Sequence, residues 1–126
     1  MRVSKPKLLY DDVREICIQM VRGYDRRKQN YCDRQHNAVN DPLMLADLEE
    51  HPETKRMRAV EIAQRCIGLE LPEATRDKLA DAIMLNCKSG RRYPYENLNL
   101  DEIEPSEFYA QRYRFLVNIA RYLQLA

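Results

Sequence analysis

The chain has three glycines, two phenylalanines and no tryptophan in 126 residues, too few tight-turn residues for a fold of many short strands and hairpins. It has no surplus of one charge. Twenty-one Lys and Arg against 20 Asp and Glu leave a net charge of +1, which excludes a globally basic, histone-like binder and confines any nucleic-acid function to a local patch. Long hydrophobic runs are missing as well. The opening MRVSKPKLLYDD holds no apolar stretch of signal-peptide length, and no segment approaches a membrane span, so the expected location is the cytoplasm without a membrane partner.

Catalytic motifs are equally scarce. There is no Gly-rich phosphate loop, nucleophile elbow or His-Glu-x-x-His helix. The carboxylates are scattered over amphipathic segments and both histidines fall in turns or helix ends. A non-catalytic protein with no catalytic residues and no cofactor is therefore expected. The four cysteines, at 17, 32, 66 and 87, are too dispersed for a disulfide framework in a reducing compartment. Cys17, Cys66 and Cys87 lie beside apolar helical positions and are expected to act as small hydrophobes. Cys32 and His36 are four apart on an expected helix, a ligand spacing, but no second Cys/His pair completes a zinc site, and no metal is expected.

What the sequence does contain is helical periodicity throughout. Leu9, Val13, Ile16, Met20, Tyr24 and Tyr31 form one apolar stripe, predicting a single long charged helix from Leu8 to about His36 within an N-terminal unit of residues 1–40. Gly23 is expected to weaken its middle by about 1 kcal/mol relative to alanine. Asn40-Asp41-Pro42 and His51-Pro52 interrupt the pattern and make the most plausible hinge. A second helix is expected from Pro52 to Leu69, buried through Met57, Val60, Ile62, Ala63, Cys66 and Ile67, with Gly68 near its end. A third begins at Pro72-Glu73, buries Leu79, Ile83 and Cys87, and stops at Ser89-Gly90. Leu98, Leu100 and Ile103 point inward from the segment after Pro94. The class is all-α, with residues 41–126 as the helical domain.

The last segment, SEFYAQRYRFLVNIARYLQLA, predicts a helix capped by Ser106. At 100° per residue, Phe108, Phe115, Leu116, Ile119 and Leu123 share one face, with Ala120 at its edge. Glu107, Ala110, Arg114, Val117 and Arg121 lie opposite, with Gln111 and Asn118 at the border. Arg112 projects toward the apolar face, where it is expected to snorkel or pair with Glu102 or Glu104. Arginine and glutamine are the side chains that contact two edge atoms of guanine and adenine.

The order of elements, RMRAVEIAQRCIGLELPEATRDKLADAIML and the closing FLVNIARYLQL resemble the phage-encoded transcriptional regulators of the RinA/ArpU type, whose C-terminal half is similar to region 4 of sigma factors. The resemblance covers residues 40–126 and rests on Leu71-Pro72-Glu73, Ser106, Phe108-Tyr109, Arg112, Phe115, Ala120 and Leu123. It implies a helix-turn-helix-like unit at about 72–126 and a prophage-type regulator of transcription that binds duplex DNA. In that reading Lys88, Arg91 and Arg92 hold phosphates, Gln111 and Arg114 reach base edges, and Ser106 caps the helix and donates to a phosphate. The acidic DEIEPSE beside the last helix supports the alternative, a helical interaction module without DNA reading. Such a module would form a homodimer through the N-terminal helix or contact RNA polymerase.

Overall fold

The computed structural model describes residues 9–126, so the expected helix start at Leu8 and the stretch 1–8 lie outside the described residues. The elements are α1 (Asp11–Arg22), α2 (Tyr24–Asn37), α3 (Pro42–Glu50), α4 (Pro52–Arg65), α5 (Glu73–Lys88), a 3-10 turn (Tyr95–Asn97) and α6 (Pro105–Tyr122). No strand occurs among the described residues. The all-α expectation holds.

Proline and glycine set most boundaries. Pro42, Pro52 and Pro105 each sit in the first turn of a helix, where the missing N–H has no intrahelical partner to lose. Asp41 caps α3, accepting from the N–H groups of Leu43 and Met44 at 3.1 Å. His51 caps α4, its Nδ1 accepting from the Glu53 N–H at 3.1 Å, which requires that nitrogen to be unprotonated. His51→Ala is expected to cost about 1 kcal/mol, and His51→Asn, a preferred cap, to recover most of it, as read by urea denaturation. Equal stability of all three proteins would refute the role. Gly68 has φ +62°, a left-handed conformation that closes the helix end and turns the chain toward α5.

The long N-terminal helix is two helices joined at Gly23. The backbone stays helical there, at φ −86° and ψ 0°, but a Cβ on Gly23 would lie 2.4 Å from Arg27 Nη1. Gly23 therefore makes room for the Arg27 side chain, which is buried and bonded to Glu53.

The main core is built by α1, α4, α5 and α6 around Val21, Val60, Leu79, Ile83, Phe108, Phe115, Leu116 and Ile119. Cys17 and Cys87 are buried in it as expected; apolar surroundings push the Cys17 thiol up to about 11. Leu98, Leu100 and Ile103 also join this core. A satellite core of Tyr31, Leu48 and Met57 lies among α2, α3 and the first half of α4. α4 serves both cores and so connects them. α1 packs against α4, α5 and α6, completing the bundle rather than standing apart from it.

Several expected inward positions turn out to face solvent. Ile16, Ile62 and Cys66 are exposed, because α1 buries Cys17, Ile18 and Val21 while α4 buries Ala59, Val60 and Ala63. The second helix also ends at Arg65 rather than Leu69. No helix among the described residues is long and apolar enough to cross a membrane.

Candidate nucleic-acid interface

α6 packs against α1, α4 and α5. Its buried residues are Phe108, Gln111, Phe115, Leu116, Val117, Ile119 and Ala120. Val117, expected on the open face, is buried because the enclosed arc widens along the second half of the helix. The open surface of α6 is then carried by Ser106, Tyr109, Ala110, Tyr113 and Arg114, with Arg121 and Tyr122 exposed at its end.

Gln111 departs furthest from its expected role. It is 3 % exposed. Its Oε1 accepts from the Gly68 N–H at 3.3 Å, and its Nε2 donates to Glu70 at 2.8 Å and Glu107 at 2.9 Å. The amide is thus a staple between the α4–α5 turn and α6. Reaching a base edge would break three hydrogen bonds and leave the Gly68 donor buried without a partner. Ser106 is not the cap either: Glu104 occupies that position, Pro105 follows, and no side chain caps α6. Ser106 is exposed in the first turn.

Arg114 remains exposed and lies 3.8 Å from Glu107. Glu70 is also close. Its carboxyl is held below the ordinary carboxylate range by a backbone N–H, the Gln111 amide and the Arg114 charge. Two carboxylates beside one guanidinium make this face a poor neighbour for phosphate.

The proposed phosphate-holding residues lie elsewhere. Lys88 is 2.9 Å from Asp25 at the start of α2, so part of its charge is already engaged. Arg91 and Arg92 are exposed after α5 and have no ion pair among the described residues; Arg92 rests 5.7 Å from the Tyr93 ring. Asn86 ties this loop down, donating to the Tyr93 carbonyl at 2.9 Å and accepting from Arg112 Nε at 2.8 Å. Arg112 therefore pairs with Asn86 rather than with Glu102 or Glu104. On a helix Arg112 and Arg114 point about 200° apart, so the loop of Arg91 and Arg92 and the face of Arg114 do not form one surface.

A polar seam between α2 and α4 has no counterpart in the sequence expectations. Glu61 accepts from the Tyr24 hydroxyl at 2.7 Å, Arg58 at 2.8 Å and Lys28 at 3.1 Å. Arg58 also donates to the Tyr31 hydroxyl at 2.9 Å and to Glu49 at 3.3 Å, and Tyr31 donates to Glu49. Arg27 with Glu53 continues the row. Desolvation pushes the Glu61 carboxyl up, but the bonds from Tyr24, Arg58 and Lys28 outweigh it and hold the group below the ordinary range. Burial and the bond to Glu61 push the Tyr24 hydroxyl above its usual value. Neither group is poised to exchange a proton near neutrality. The spacing of Tyr24, Arg27, Lys28 and Tyr31 marks one helix face, but nothing in it names Glu53, Arg58 and Glu61 as partners.

No group of three His, Cys, Asp or Glu side chains is placed to hold a metal among the described residues. Cys32 and His36 are both exposed on α2. Neither a protein-family model, nor a curated protein, nor a solved structure matches this chain.

Proposed function

We propose that this chain is a non-catalytic helical interaction module whose partner is a protein, either a second copy or RNA polymerase. The observation that carries this reading is the burial of Gln111 under three hydrogen bonds, which takes out of reach the amide on α6 expected to read a base. Specificity for duplex sequence needs base-edge contacts or a deformable site held by a phosphate clamp. Here the cations are divided between two sides of α6, and Arg114 sits among carboxylates.

Duplex DNA is the second reading, favoured by Arg91 and Arg92, which are exposed and without an ion pair among the described residues. Selection from a random duplex pool at low salt separates the two. Enrichment of no sequence is expected, together with at most weak retention that Arg91→Ala and Arg92→Ala reduce for all sequences alike. Recovery of a defined site, with preference at one base pair relaxed by Arg114→Ala, would overturn the interaction reading in favour of a DNA reader.

A further inference from the structure

Between the last turn of α2 and α3 lies a groove of about 400 Å³ that the bundle does not fill. Its apolar floor is Ala38 and Leu48, with Met44 at the edge. Around it stand the most exposed aliphatic side chains of this region, Leu43 at 79 %, Val39 at 67 % and Met44 at 52 %. The sequence reason is local. α3 has nine residues and spends Leu48 on the satellite core with Tyr31 and Met57, which leaves Leu43 and Met44 on its outward side. A contiguous apolar cluster of this kind beside a groove, with charges at the rim, is the surface of a protein contact rather than scattered exposure.

The rim charges identify the partner. Arg34 on α2 and Asp47 on α3 stand on the two sides of the groove, and neither has an ion pair among the described residues. A two-fold axis lying in the contact plane along the groove brings one side of the rim opposite the other side of a second copy. That operation sets Arg34 against the partner's Asp47 and Asp47 against the partner's Arg34. It also brings the exposed Leu43 and Met44 of α3 in each copy toward the α2 side of the other. A uniformly acidic or basic segment would satisfy only one of the two charges.

We propose that the chain forms a two-fold homodimer through the α2–α3 groove, with Leu43 as its apolar anchor and Arg34–Asp47 as its reciprocal ion pairs. The proposal rests on the interaction-module reading, and it confines the contact expected of the N-terminal helix to the far end of α2, because the bundle uses α1.

Sedimentation equilibrium and light scattering on the full chain test it, with circular dichroism melts to establish that each variant is folded. The wild type is expected to give twice the 15.0 kDa chain mass at micromolar concentration. Leu43→Asp, exposed and in a first helical turn that favours a carboxylate, should keep the helical signal and a cooperative melt but run as a monomer. Arg34→Glu and Asp47→Arg should each weaken association by at least about tenfold. The double variant, and an equimolar mixture of the two single variants, should restore it, because like charges then meet opposite charges again. A wild type that stays monomeric at several hundred micromolar overturns the proposal, as does a dimer indifferent to Leu43→Asp or a double variant that fails to recover. A monomer that also selects no duplex sequence removes the dimer alone. Selection of a defined duplex site removes the interaction-module reading itself.

Discussion

Phe115→Ala is expected to destabilise the protein by about 3–5 kcal/mol, the usual cost of removing a buried aromatic ring and leaving a cavity. Phe115 is among the largest fully buried side chains, on the face of α6 that joins the main core. For a chain of this size that loss lowers Tm by on the order of 10–20 °C and takes away much of a typical total stability. Arg114→Ala, one residue earlier and exposed beside Glu107, is expected to change Tm by no more than a degree or two. Thermal melts of the two variants, run in parallel, make the comparison. A mild Phe115→Ala would mean that this face of α6 is not packed in the main core.

The second large effect is at Glu61. Glu61→Ala removes one acceptor from three donors and is expected to cost about 2–3 kcal/mol. This is below the figure for a fully buried pair because Lys28 and Arg58 are 42 % and 31 % exposed, so water screens part of the loss. The pH dependence follows from the direction of the shift. Glu61 and Glu53 both lie below their ordinary carboxylate value, Glu53 chiefly through its bond from Arg27. Their contribution is therefore present above the unfolded carboxylate value, about 4.3, and is lost as pH falls through the lower folded values. Tyr24 is shifted upward. Its contribution is present below the unfolded tyrosine value, about 10, and disappears as pH rises toward the folded one. Urea unfolding between pH 3 and 7 should show a steeper acid loss for wild type than for Glu61→Gln, which keeps the shape without the titration. Identical slopes would show that Glu61 contributes no linked proton.

The proline and glycine punctuation, the order of the long helices after Pro52, and the core face of α5 were legible in the chain, because they are local. Pro42 and Pro52 restrict their own φ and the residue before them, Gly68 adopts a conformation other residues resist, and Leu79, Ile83 and Cys87 recur at the helical period. The same reasoning misplaced Ile16, Ile62, Cys66 and Val117. Periodicity locates the middle of an apolar face, but the width of the buried arc depends on how many neighbours a helix has.

Of the candidate site, the sequence by itself determined which residue types lie on α6 and their angular order. Only the tertiary structure decided what they face. Gln111 meets Gly68 across 43 residues, Tyr24 meets Glu61 across 37, and Arg27 meets Glu53 across 26. Such contacts depend on the packing of α4 against α2 and α6, which no local period encodes. A glutamine beside an arginine reads the same on a helix that grips a groove and on one that closes a bundle. The difference is whether a backbone N–H and two carboxylates are already within hydrogen-bonding distance, and here they are.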